Sequence, residues 1–429
     1  MLVLAEGALR TVPTATSFWR KMPTLGDRWS PTENSFGLMR QVMACGVILA
    51  HCWPIGYARG NPGDSWTSGQ TDIGFFALFG LISCSGYLNA DSGVRITAKS
   101  FAKRRFLRIF PGWWASLIIT ALVIAPFVAL YENGTLRGFW THSDGPFDYI
   151  TTNVGASMAQ FPISGLLAHV PYARMVGGPS AFAGSLWTLH YEFGCYVVIG
   201  LLIATGWLRR SPRVLLGLTL AAFAVVLVDL LRADSWTIRP VPHGAIGPYP
   251  IIGSLAFNWT VYFGWLFLLG ATARLYMHRI PMHGAIAAVV AGLLVLSAWR
   301  GGYLVIGPPA YTYLMLYVAV ALPARLHRYA RKRDYSFGIY IYGFAVQQVV
   351  ALVGGARYGI VVYILLSFAG TLALAAASWH LIERPALRLK DRSLTAAIRS
   401  LVDHRHSATS ALRPAAGDAS TVAVPNETQ

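Results

Sequence analysis

The chain has 429 residues, of which 55% are hydrophobic, 13% aromatic and only 12% charged. Soluble domains carry roughly 25% charged residues, so this balance excludes an ordinary soluble enzyme and points to an all-α, polytopic membrane protein. The formal charge of +17, from 35 Lys and Arg against 18 Asp and Glu, would suggest nucleic acid in a soluble chain, but the basic residues fall in short connections between apolar runs, where they encode topology instead.

Apolar windows long enough to cross a hydrocarbon core of about 30 Å occur at 36–56, 72–90, 109–130, 183–207, 214–231, 256–273, 284–299, 302–322, 335–354 and 357–379. These about ten transmembrane helices put both termini on one side. The connections on the side of the N-terminus hold 27 Lys and Arg and those on the opposite side 7, which by the positive-inside rule makes both termini cytoplasmic. Residues 1–35 read as a cytoplasmic N-terminal segment, 36–390 as one transmembrane domain and 391–429 as a cytoplasmic, largely disordered tail. The early prolines Pro13, Pro23 and Pro31, without an apolar core among them, argue against a cleavable signal peptide.

The first window contains RQVMACGVILAH, from Arg40 to His51. Eleven steps at 100° each amount to about three turns plus 20°, so both side chains share one helix face, about 16 Å apart along the axis. A charge at the bilayer centre costs ~2.5 kcal/mol or more, which makes intramembrane ionisable groups functional candidates. The bland alternatives are an arginine that snorkels to headgroups and a histidine that bridges helices.

The third window is entered through KRRFLRIFPGWW, Lys103 to Trp114, where Arg104, Arg105 and Arg108 converge at helical spacing. Such a patch suits phosphate oxygens, although it would serve equally as a lipid-phosphate anchor. Pro111 is expected in the first turn of the helix or at a kink just after it. The connection at 131–182 is the largest on the outer side and could shape a substrate entrance.

GSLWTLHYEFGCYV, Gly184 to Val197, places Glu192 about 14 Å inside the fourth window by helix rise. A carboxylate at that depth needs a proton or a donor. Tyr196 lies one turn on, on the same face, whereas His190 faces elsewhere and reads as packing or an entrance contact. Cys45, Cys52, Cys84 and Cys195 all sit in apolar runs without metal or redox spacing, and no metal-ligand cluster is visible.

In this order the elements resemble the acyltransferase 3 family of integral membrane enzymes. The resemblance rests on Arg40 to His51, on FGLISCSGYLNADS from Phe79 to Ser92, on Arg105 to Arg108, on GSLWTLHYE from Gly184 to Glu192, on DYSFGIYIYGFAVQQ from Asp334 to Gln348 and on SWHLIERPAL from Ser378 to Leu387. It covers residues 36 to 390, with one departure: Gly343 stands where many members carry a histidine.

The resemblance implies an acyl-CoA-dependent O-acyltransferase of the cell inner membrane that moves an acyl group, acetyl by default, to a hydroxyl of a surface polysaccharide or glycoside. Acyl-CoA would then be a co-substrate, with no permanently bound cofactor. Arg40, Arg104, Arg105 and Arg108 become candidates for its phosphates, His51 for general base or transient acyl carrier, Glu192 for orienting His51 or binding the acceptor, and Trp187 and Tyr196 for substrate contact. A proton-coupled transporter is the competing expectation from composition alone.

Overall fold

The computed structural model describes residues 22–327, 329 and 333–391. Much of the expected N-terminal segment, nearly all of the tail at 391–429 and the basic residues Arg328, Arg331 and Lys332 lie outside them. One compact unit ends at Leu387, and of the following unit Arg388 and the turn Leu389–Asp391 are described.

Helices of sixteen residues or more form in all ten expected windows. They are α1 Phe36–Tyr57, α2 Ile73–Gly93, α3 Ala98–Ile119, α4 Leu189–Ala204, α5 Pro212–Arg232, α6 Phe257–Leu275, α7 Gly284–Arg300, α8 Tyr303–Ala321, α9 Ser336–Leu352 and α10 Ile360–Ser378. Among the described residues seven helices are long and apolar enough to cross a membrane; α7 and α9 are apolar but shorter, and α6 is not one of the seven. Leu220, Leu231, Val289, Val361 and Leu365 are exposed on these helices, as expected where lipid replaces water around a spanning helix.

Three local expectations change. The all-α reading misses a two-stranded antiparallel hairpin, β1 Ala245–Tyr249 and β2 Gly253–Ala256, between α5 and α6. Pro111 lies well inside α3, because the basic stretch before it is itself helical from Ala98. The α3 helix then runs through a π turn, Thr120–Ile124, into a further segment, Ala125–Asn133, with Pro126 at its start; a π turn accommodates a residue that cannot donate to the helical ladder. Fourth-window residues Gly184–Thr188 form a tighter 3-10 turn, so the α-helical part begins only at Leu189.

Small residues bring the helices together where lipid supplies no hydrophobic drive. A side chain on Gly86 would collide with the Phe267 carbonyl, and one on Gly270 with the Ser83 carbonyl, so α2 and α6 pack backbone to backbone. Gly343 on α9 plays the same part against α1: a Cβ there would meet Ile48 Cγ1 at 2.8 Å. The place where a histidine is expected by resemblance is thus filled by close helix packing.

Candidate active site

Helix α1 is unbroken from Arg40 through His51, so the shared face inferred from periodicity exists. Each residue opens onto a different cavity.

The arginine cavity, about 110 Å³, lies among α1, α2, α3, α4 and α9. Arg40, Arg105 and Arg108 form its cationic wall, with Ser85, Asn89, Glu192, Tyr196, Ser336 and Tyr340 among its polar groups. Asp334, just before α9, ties two helices together: its Oδ2 lies 2.9 Å from Nη2 of Arg40 and 2.9 Å from Nη2 of Arg108. Its Oδ1 accepts from Ser336 Oγ at 2.6 Å and from the Ser336 amide at 3.2 Å. Burial pushes this carboxyl up, but Arg40, Arg108 and the two Ser336 bonds outweigh it and hold it at about 2. Arg108 also approaches Glu383 Oε2 at 3.8 Å, and Ser378 Oγ donates to Glu383 Oε1 at 3.0 Å.

Arg105 is placed differently. Among the described residues it pairs with no carboxylate, and its guanidinium lies 5.5 Å from the Phe101 ring centre and 5.8 Å from that of Tyr196. Arg104 is not part of the cavity wall.

Glu192 stands in the first turn of α4, where the helix dipole favours a negative charge. Its Oε1 accepts from Tyr196 at 2.5 Å, one helical turn on, and from Ser85 Oγ of α2 at 2.6 Å. Asn89 Nδ2 donates to Ser85 Oγ at 3.1 Å, completing the chain. The partners of Glu192 are therefore hydroxyls of the arginine cavity, and no contact joins it to His51 among the described residues. Tyr196, expected as a substrate contact, likewise belongs to the arginine cavity.

The histidine cavity is smaller, about 70 Å³, and His51 shares it with Asn61, Asp72, Phe75, Ser185 and Trp187. The imidazole stands edge-on to Phe344 at 5.4 Å. Asp72 Oδ1 caps α2 by accepting from the amides of Gly74 at 2.8 Å and Phe75 at 3.1 Å, which leaves Oδ2 facing Arg239 Nη1 at 3.5 Å. Trp187 packs against Trp259 and Phe263. None of residues 131–182, expected as an entrance, lines either cavity.

The two cavities meet at Leu78, Thr188 and Tyr340, which line both. Tyr340 donates to the Ser185 carbonyl at 2.6 Å, and Thr188 and Tyr340 are hydrogen-bonded hydroxyl to hydroxyl. A cationic chamber and an imidazole chamber thus share a wall of one leucine and two hydroxyl side chains.

Residues 33–380 match the acyltransferase domain family, acyltransferase 3. The chain belongs to that family. It is 29% identical over 380 residues to nodulation protein 10 of Rhizobium leguminosarum bv. viciae, covering 83% of this chain and 94% of that one. It is 26% identical over 367 residues to an O-acetyl transferase of Shigella phage Sf6, covering 82% of this chain and 95% of that one. No solved structure matches it. The protein is a membrane O-acyltransferase, and family membership favours the enzyme over the transporter.

Sequence reasoning missed several groups of this acyltransferase site. Asp334 and Glu383 each stand near the end of an apolar run and read as boundary residues, yet two arginines at one depth demand buried counter-charge. Ser85, Thr188 and Tyr340 carry no signal beyond their presence in the quoted motifs, and Asn61 and Asp72 lie outside those motifs. Among the described residues no three His, Cys, Asp or Glu side chains group as a metal site, and the four cysteines are free thiols.

Proposed function

We propose that this acyltransferase takes an acyl group, acetyl by default, from cytoplasmic acyl-CoA and delivers it to a hydroxyl of a cell-surface or exported glycan reached from the other side of the cell inner membrane. In this reading the chain crosses the bilayer ten times with both termini cytoplasmic, which puts the Arg40 end of α1 inside and the His51 end towards the exterior. The observation that carries the proposal is the pair of cavities that share Leu78, Thr188 and Tyr340.

The donor's phosphates would lie against Arg40, Arg105 and Arg108. Asp334 fixes two of these guanidiniums, and each guanidinium has five N–H donors, so N–H groups beyond those on Asp334 serve the ligand. Arg105, with no carboxylate partner, supplies the uncompensated charge. Arg104 lies off this wall. The pantetheine arm would follow the cavity past Glu192 and Tyr196 to the partition.

At the partition the acceptor oxygen attacks the thioester carbon while His51 takes its proton; the C–S bond breaks, and His51 returns the proton to the departing thiolate. General base catalysis of this kind supplies roughly 10²- to 10⁴-fold. The same imidazole could instead carry the acyl group transiently. Trp187 lines the acceptor's side, and Glu192 organises Ser85 and Tyr196 on the donor's side.

Acetyl-CoA should raise the unfolding temperature of the detergent-solubilised full-length protein. Arg105→Ala should weaken that stabilisation, with Kd for acetyl-CoA rising roughly tenfold or more for one lost charged contact. No stabilisation of the wild type, together with no acyl transfer to glycan from a strain lacking the gene, would overturn the reading.

A further inference from the structure

A third cavity, about 280 Å³, opens beside the histidine cavity at the same end of the bundle. It lies between the end of α5, the connection carrying the β-hairpin and the starts of α6 and α8, and its polar wall is Asp229, Arg232, Arg239, His243 and Asn258 with Tyr262 as the aromatic member.

Arg239 connects it to the site described above. Arg239 lines this cavity, and its Nη1 stands 3.5 Å from Oδ2 of Asp72, a wall residue of the histidine cavity. The same guanidinium lies 5.4 Å from the ring centre of Phe75, another wall residue of the histidine cavity, and it is anchored on Asp64 and on the Gly69 carbonyl. Arg239 thus links the wall of this cavity to two wall residues of the histidine cavity, Asp72 and Phe75. Asn258 holds the rim in place by accepting from the His243 amide at 3.0 Å and donating to the Val241 carbonyl.

The space beside His51 is about 70 Å³ against about 280 Å³ for this neighbour, so the larger part of an acceptor fits the second space more readily than the first. The remainder of the acceptor must be recognised nearby. The 280 Å³ cavity has room for a whole substituted ring. Its carboxylate, guanidiniums, imidazole and amide around a phenol offer the mixed donors and acceptors that a hydroxyl-rich ring needs.

We propose that this cavity is a glycan subsite, holding a sugar unit adjacent to the one whose hydroxyl reacts at His51, so that the enzyme prefers acceptors of at least two units. The proposal rests on the O-acyltransfer reading.

The test uses full-length protein in detergent, labelled acetyl-CoA, and glycan from a strain lacking the gene, cut by mild acid and sized into single sugars and longer pieces. The wild type should show a kcat/KM for longer pieces roughly tenfold or more above that for single sugars, the effect of one or two charged hydrogen bonds. Asp229→Asn combined with Arg232→Ala should bring the longer pieces down to the single-sugar value. His243→Ala, at the exposed rim, should do the same in part. Single-sugar transfer should not change in either variant, which also reports that the protein is folded. Length preference retained in both variants, or absent from the wild type, would overturn the subsite. No transfer to any acceptor would overturn the O-acyltransfer reading and the subsite with it.

Discussion

The two ends of the face that α1 presents are built on opposite plans. At Arg40 the charges are compensated: Asp334 binds Arg40 and Arg108 at once, and Glu383 approaches Arg108 from the end of α10's continuation. At His51 the ring meets Phe344 and a small chamber whose carboxylate, Asp72, is committed through Oδ1 to capping α2. Under the proposed function the difference follows from what each end would have to do. A site for a multiply charged ligand needs guanidiniums held rigidly in place by protein charge before the ligand arrives, whereas a proton-transferring imidazole must be free to be neutral before the reaction and cationic during it.

The largest effect that could break this contrast is at the histidine end. His51→Ala should lower kcat for acyl transfer by roughly 10²- to 10⁴-fold while leaving the unfolding temperature and acetyl-CoA affinity close to wild type, since the ring makes an edge contact and little more. Acyl transfer by the variant at the wild-type rate would remove the catalytic half of the contrast.

At the arginine end the comparable change is Asp334→Asn, which leaves two partly buried guanidiniums without their shared partner. Removing one member of a buried ion cluster costs roughly 3 kcal/mol, read as a lower unfolding temperature of the solubilised protein, with donor affinity affected through the misplaced arginines. The pH dependence has a definite sign. Because the folded value is depressed to about 2 from the ordinary value of about 3.9, the cluster contributes fully above about pH 4 and its contribution is lost as pH falls towards the folded value. The difference in stability between wild type and Asp334→Asn should therefore shrink on acidification below pH ~4; a constant difference would mean that Asp334 acts by packing and not by charge.

How much of this was legible in the sequence depends on the range of the interaction. Helix periodicity within one segment was enough to place Arg40 and His51 on one face, to gather Arg105 and Arg108, though with Arg104 counted among them, and to put Tyr196 on the face of Glu192, where it turns out to be that carboxylate's donor. The partners that complete the site come from elsewhere in the chain: Asp334 is 226 residues from Arg108, Ser85 is 107 from Glu192, and Tyr340 is 155 from Ser185. Such pairings depend on which helices pack side by side, decided here by glycines such as Gly86, Gly270 and Gly343 that carry no chemical signal of their own. For the same reason Glu192 could be recognised as needing a proton or a donor, with orienting His51 or binding the acceptor as its expected roles, but its actual donors, the hydroxyls of Ser85 and Tyr196, were not named in advance.

The smallest effect concerns the partition where the two plans meet. Tyr340→Phe removes the hydroxyl that donates to the Ser185 carbonyl and pairs with Thr188. A purely structural hydroxyl would cost about 1 kcal/mol of stability and nothing more. If the hydroxyl also seals the chamber between donor and acceptor, the 3-10 turn at Gly184–Thr188 loosens, water gains access to the thioester and CoA is released without acyl transfer. The ratio of CoA released to acyl transferred separates the two, because stability alone does not move it. We expect that ratio to rise by about a factor of two or three, less than one tenfold step in relative barrier height, with donor affinity retained because the arginines are untouched. A ratio held at the wild-type value would leave the cavities as neighbours without a shared gate.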